Sequence, residues 1–95
     1  MSDAVNTSED TFEVLNEQGL HARPVTRLVQ TAARFRAEVQ VERDGQVANA
    51  KSVMGVLLLC CHKGSLVTVR AQGPDAADAV AALGELFRSR FGEGK

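Results

Sequence analysis

The apolar positions change period several times along the chain, and each change marks an element. Phe12 and Val14 alternate with Thr11 and Glu13, the period of two that half-buries a strand, so Thr11 to Leu15 reads as the first strand. Residues 1–10 before it are polar, acidic and aperiodic and read as a flexible solvated tail, which leaves 11–95 as one domain. From Ala22 to Phe35 the period lengthens: Val25, Leu28, Val29, Ala32 and Phe35 share one arc at about 100° per residue. Arg23, Arg27, Gln30 and Arg34 fall within roughly 60° of one another on the opposite side, as a solvent stripe on a helix. Ala37, Val39 and Val41 then alternate with Glu38, Gln40 and Glu42, a second strand, and Asp44-Gly45 is a favoured hairpin pair leading into Gln46 to Asn49.

Ser52 precedes the apolar run Val53 to Cys61, whose length suits either a buried strand or a short helix. A serine able to cap and the unbranched Met54 and Leu57 to Leu59 favour the helix. Lys63-Gly64-Ser65 turns the chain, and Leu66 to Gln72, with Val67, Val69 and Ala71 on one face, forms the last strand. Gly73-Pro74-Asp75 opens a final helix, with Asp75 and Asp78 near its positive end and Arg88 and Arg90 near its negative end. Val80, Leu83, Phe87 and Phe91 supply its buried stripe. The order strand, helix, strand, strand, helix, strand, helix predicts an α+β fold with an antiparallel sheet and helices gathered on one face.

Composition narrows the class. A chain of 95 residues with 44% hydrophobic and 24% charged content is an ordinary small domain, able to bury roughly 64% of its unfolded surface. No run approaches the roughly 18 apolar residues a membrane helix needs, and no basic or apolar leader opens the chain, so a cytoplasmic location with no membrane partner is expected. A net charge of −1, no Trp or Tyr and 4 Phe argue against nucleic-acid binding. Cys60 and Cys61 are adjacent and unsuited to an ordinary intrachain bridge. With His62 they lack the paired spacing of a metal site, so neither a metal nor a cofactor is expected. Charge is uneven, however: residues 1–18 carry five acids and no base, and residues 19–36 four arginines and no acid.

The candidate chemistry lies in Gly19-Leu20-His21-Ala22-Arg23-Pro24. His21 stands where a loop meets the first helix, and the first amides of a helix lack internal acceptors and favour a phosphate-like anion. Imidazole is substantially neutral, hence nucleophilic, near pH 7, so such a histidine can accept a phosphoryl group. Arg23 adds a permanent cation with several donors, and Pro24 suits an early helical position. Taken alone, the same spacing also fits a histidine that only packs at a helix start beside a solvated arginine. No phosphate-binding glycine loop is present, so a phosphate on His21 has to come from another protein.

The segment Gly19 to Pro24 resembles the active-site signature of HPr, the histidine-containing phosphocarrier of the bacterial phosphoenolpyruvate-dependent phosphotransferase system. Lys51-Ser52-Val53-Met54-Gly55, at the expected separation, resembles that family's regulatory-serine segment. The resemblance covers roughly residues 11–91 and implies an open-faced β-sandwich, a four-stranded antiparallel sheet covered on one face by three helices. It further implies a carrier rather than an enzyme, working as a monomer. His21 would take phosphate on Nδ1 from phosphorylated enzyme I and pass it to an EIIA-type acceptor, with Arg23 neutralising charge in transfer. Arg27, Val53, Met54 and Leu57 would dock partners, with core packing the alternative for the apolar three. Ser52 would cap the second helix and, where an HPr kinase/phosphorylase exists, carry a regulatory phosphate. Leu58 to His62 departs from the family's usual choice, and the segment from Gly73 to the end is as similar to the nitrogen-related branch, NPr, as to the sugar branch. A small α+β binding module with a structural His21 remains the alternative from a different class. His62 lacks the Ala-Arg-Pro context and reads as an exposed turn residue.

Overall fold

Four strands and three helices alternate in the structure, a computed structural model that describes residues 6–94. They are β1 (Thr7–Glu13), α1 (Ala22–Ala32), β2 (Glu38–Arg43), β3 (Gln46–Asn49), α2 (Val53–Leu57), β4 (Leu66–Gln72) and α3 (Ala76–Arg88), followed by a 3-10 turn at Arg90–Gly92. The strands form one antiparallel sheet in the order β1-β4-β2-β3, so the last strand to be made lies between the first two. Alternation sets the layers: Val39, Val41, Val67, Val69 and Ala71 point inward and are buried, while their neighbours face solvent. Against this face lie Val25, Leu28 and Ala32 of α1, Val56 of α2, and Ala79, Val80, Leu83 and Phe87 of α3. The result is the open-faced sandwich expected above, with helices on one side and an uncovered sheet on the other.

The hairpin between β2 and β3 turns on Asp44 and Gly45 with φ of 51° and 82°, both left-handed, as its two-residue turn requires. Several boundaries differ from the sequence reading, among them α2, which ends at Leu57 within the apolar run to Cys61. β1 begins at Thr7, so Thr7 to Asp10, read as tail, pair with Gln72 to Val69 of β4; residues 1–5 of that tail lie outside the described residues. This end of the strand shows no apolar alternation because Thr7, Glu9 and Asp10 are exposed and Ser8 alone is half-buried.

α1 ends at Ala32 rather than Phe35. Its apolar period continues, but the amides of Arg36 and Ala37 donate to the Asp75 carboxylate at 2.9 and 2.8 Å, which draws the chain off the helical path toward α3. Gly73 meets it there, since a Cβ at Gly73 would sit 2.7 Å from the Ala37 Cα. α3 therefore starts at Ala76, and Asp75 makes no side-chain cap for its own helix. The α3 stripe also ends sooner than read: Arg90 and Phe91 both have φ of 54°, so Phe91 enters the core from a left-handed turn.

Phe87 organises that end of the core. Its ring stacks on Phe12 of β1 at 5.3 Å and meets the edge of Phe91 at 5.0 Å. Truncation as Phe87→Ala should cost about 3–5 kcal/mol, read as a lowered urea midpoint with an unchanged slope.

Asp75 generates a second expectation. Chiefly through its backbone hydrogen bond from Arg36, its carboxyl is held below the ordinary aspartate value, with burial opposing. A depressed carboxylate stabilises the fold above its unfolded pKa, and that contribution is lost as pH falls through the folded value. Asp75→Asn should therefore lower the urea midpoint at neutral pH, and its gap from wild type should narrow as pH drops below about 4.

Candidate functional site

Two close approaches set the start of α1. Gly19 has φ of 67°, and a Cβ there would lie 2.6 Å from the Cys61 carbonyl and 2.7 Å from the His62 Cα, so only glycine lets this turn press against the loop after α2. The Leu20 amide donates to that carbonyl at 2.8 Å. From inside, the buried Asn16 Nδ2 donates to the Gly19 carbonyl at 3.1 Å. The turn thus delivers His21 to the N-cap position of α1 in an extended conformation, with no side-chain cap made.

The uncapped start has chemical consequences. The His21 carbonyl accepts from Val25, but the amides of Ala22 and Arg23 have no acceptor among the described residues, and Pro24 has none to offer. Two main-chain donors and the positive end of an 11-residue helix therefore open beside the imidazole. The ring is neither entombed nor loose: its side chain is 38% exposed, and Nε2 lies 3.0 Å from Glu93 Oε2. Nδ1 makes no hydrogen bond among the described residues.

Glu93 reaches His21 from beyond α3. Its other oxygen, Oε1, accepts from Asn16 Nδ2 at 2.9 Å. The Asn16 bond is the leading cause holding the Glu93 carboxyl below its usual range, with His21 and Arg23 assisting against burial. An open cleft of about 540 Å³ runs past His21, Arg23, Arg27, Glu17 and Glu93. Arg27 lies over the C-terminal turn, where a Cβ at Gly92 would come within 2.5 Å of its Nη1. His21, Arg23 and Arg27 are thus brought to one cleft.

The second segment stands apart as its own element. Ser52 caps α2, its Oγ accepting from the Gly55 amide at 3.0 Å. Val53 and Met54 are exposed, Met54 to 66%, whereas Leu57 is half-buried against the core. Leu58, not singled out in the sequence, is 70% exposed one turn beyond Met54 and extends the apolar surface. Cys61 is buried, which pushes its thiol up, and Cys60 is exposed; both are free. His62 is exposed, with Nδ1 3.0 Å from Ser65 Oγ. Among the described residues no His, Cys, Asp and Glu converge as a metal cluster, and no helix is long and apolar enough to cross a membrane.

Glu93 and Asn16 were missed by the sequence reading. Asn16 is 77 residues from Glu93, which itself is 72 from His21, and neither lies in a motif or a periodic segment. The only local cue is Gly92, whose φ of 80° marks a turn in the chain without saying where it leads.

Known proteins match this architecture throughout. A protein-family profile described as "PTS HPr component phosphorylation site" matches residues 8–89. Phosphocarrier protein HPr of Xylella fastidiosa (strain Temecula1) is 44% identical over 85 residues, covering 90% of this chain and 96% of that protein. Phosphocarrier protein HPr of Neisseria meningitidis serogroup A is 38% identical over 87 residues, covering 92% and 98%. The crystal structure of HPr-C-His from Thermoanaerobacter tengcongensis superposes with a TM-score of 0.89 at 43% identity, over 93% of this chain and 99% of that one. By sequence along nearly its whole length, and by fold, the chain belongs to the HPr phosphocarrier family of the phosphotransferase system.

Proposed function

We propose that His21 accepts a phosphoryl group on Nδ1 from phosphorylated enzyme I and passes it to an EIIA-type acceptor, the protein acting as a stoichiometric carrier. The observation that carries this reading is the state of the ring: Nε2 is engaged by Glu93, while Nδ1 has no partner among the described residues, and the ring stands on an open cleft at the N-cap of a helix whose first two amides are unused there. In the transfer, the Nδ1 lone pair attacks phosphorus as the bond to the donor breaks and its electron pair leaves with the donor. The Ala22 and Arg23 amides can then donate to the phosphoryl oxygens. Arg23, exposed at the cleft, supplies a permanent counter-charge for the in-line step. All of these groups come from one chain, which fits a carrier working as a monomer.

Docking follows from surfaces beside that chemistry. Arg27 presents charge at the cleft, and Val53 and Met54, joined by Leu58, offer exposed apolar area. Leu57, half-buried, contributes mainly to the core. A phosphate placed on Ser52 by an HPr kinase/phosphorylase would remove the hydroxyl from its capping geometry and add about −1.5 to −2 charges beside Val53 and Met54. That combination should hinder an apolar partner.

With labelled phosphoenolpyruvate and enzyme I, the wild type should take one acid-labile, alkali-stable phosphate and His21→Ala none. Label retained in His21→Ala refutes the assignment, and absence of label in the wild type favours the binding module. Ser52→Ala should lower stability by about 1 kcal/mol through loss of the cap, measured by urea unfolding. It should also abolish any acid-stable, ATP-dependent label; label persisting in Ser52→Ala places the regulatory site elsewhere.

A further inference from the structure

Three consecutive left-handed residues reverse the chain after α3: Arg90 and Phe91 with φ of 54°, and Gly92 with φ of 80°. Left-handed backbone costs a non-glycine residue energy, so the surroundings have to hold it. Phe91 does so from the core side, fully buried against Phe87, and the Gly92 amide donates to the Ser89 carbonyl at 3.0 Å. The Glu93 amide closes the turn on Arg90 at 2.9 Å. The effect is to carry Glu93 away from the axis of α3 and back across the start of α1. There its two oxygens have separate partners, Asn16 Nδ2 at 2.9 Å and His21 Nε2 at 3.0 Å.

The two ends of this bridge differ in kind. Asn16 is completely buried and also fixed to the Gly19 carbonyl, so it cannot follow a moving carboxylate. Its amide anchors Oε1, which leaves Oε2 aimed at the imidazole. An ionised carboxylate only accepts hydrogen bonds, so the contact requires a ring proton on Nε2, and in the neutral ring that leaves the lone pair on Nδ1. The ring is then both aimed and held in the tautomer that can attack through Nδ1.

We infer that Glu93, anchored by Asn16 on the left-handed C-terminal turn, is a positioning residue that orients the His21 ring and keeps its proton on Nε2 throughout phosphoryl transfer. The inference rests on the reading of His21 as phosphoryl acceptor and deepens it. As Nδ1 forms its bond to phosphorus and the donor bond breaks, the ring gains positive charge, and the Nε2 proton stays opposite the carboxylate. In the reverse sense, the N–P bond breaks with its electron pair returning to Nδ1, and the proton again does not move. Glu93 is not the only charge facing the ring: Arg23 and Arg27 of α1 and Glu17 of the preceding turn share the cleft. The two arginines offset the repulsion that a lone carboxylate would exert on an arriving phosphoryl group.

The test separates ring holding from phosphate chemistry by using the unphosphorylated full-length protein first. In nitrogen-15 correlated spectra at about pH 8, His21 of the wild type should show an Nε2–H proton slowed in exchange with water. Glu93→Ala should lose that resonance, and Glu93→Gln, which keeps an acceptor oxygen, should restore it at least in part. Single-turnover phosphorylation should then slow by roughly ten- to a hundredfold in Glu93→Ala, with the half-saturating donor concentration unchanged. A resonance equally protected in Glu93→Ala, or a wild-type transfer rate in that variant, overturns the inference. A wild type that takes no phosphate sinks the parent reading and the transfer half with it, while the resonance still decides whether Glu93 holds the ring.

Discussion

An uncapped helix start is the constraint on which the site depends, because α1 begins at a histidine whose side chain caps nothing while the next two amides stand without acceptors. A serine, aspartate or asparagine at that position would satisfy one of those donors and stabilise the protein by about 1 kcal/mol. α2 shows the alternative in the same chain, where Ser52 closes on the Gly55 amide and only five residues of helix are sustained. The first helix forgoes that local stabilisation and is held by packing instead, through Pro24, Val25, Leu28 and Ala32. Stability supplied by the buried face leaves the N-terminal donors available for an anion.

The distribution of charge follows the same division between two faces. On the uncovered side of the sheet Arg70 is engaged by Glu9 at 2.7 Å and Glu42 at 2.9 Å, which ties β1 to β2 across the central β4. Arg23, Arg27, Arg34 and Arg36 form no ion pair among the described residues. Exposed pairs contribute little to stability, so the difference matters for encounter: the sheet presents a neutralised cation, and α1 with the segment after it presents cations still able to meet acids. A net charge of −1 conceals this asymmetry, which the acid-free stretch from Gly19 to Arg36 already displays.

Legibility in the sequence tracked the range of the interactions involved. Where a local rule decided the structure, the reading matched it: β4 runs from Leu66 to Gln72, Asp44-Gly45 turns a hairpin, and Ser52 turned an ambiguous apolar run toward a capped helix. His21 was legible as a position, since a loop-to-helix junction follows from the period that begins after it. Where distant residues decided it, pattern was blind. The helical period through Phe35 was real, yet Asp75, 38 and 39 residues away, took the Ala37 and Arg36 amides and ended α1 early. Thr7 to Asp10 carried no apolar alternation because that end of the strand is exposed apart from half-buried Ser8, and the larger inward residues, Phe12 and Val14, come later in the segment. The Glu93 bridge is the extreme case, joining a turn just after α3 to a loop and a helix start near the other end of the chain.

A carrier has to satisfy two opposed demands at one atom, and if His21 holds the group, as proposed, its surroundings bear on both. On the proposed reading, the Ala22 and Arg23 amides are in place before the group arrives and would lower the barrier without reorganising, with the exposed Arg23 guanidinium adding charge. If those were the only charges, each would also hold the product, and tight binding of ground and transition states alike would not speed onward transfer. Glu93 supplies the opposing element. Held below its usual protonation range chiefly by Asn16, it would set negative charge across the ring from a group on Nδ1, opposing the phosphoryl oxygens while stabilising the positive ring that is the better leaving group. On the proposed reading, attraction at the helix end and repulsion from the C-terminal turn would act on the same cargo from different sides, leaving the N–P bond poised for release as well as formation.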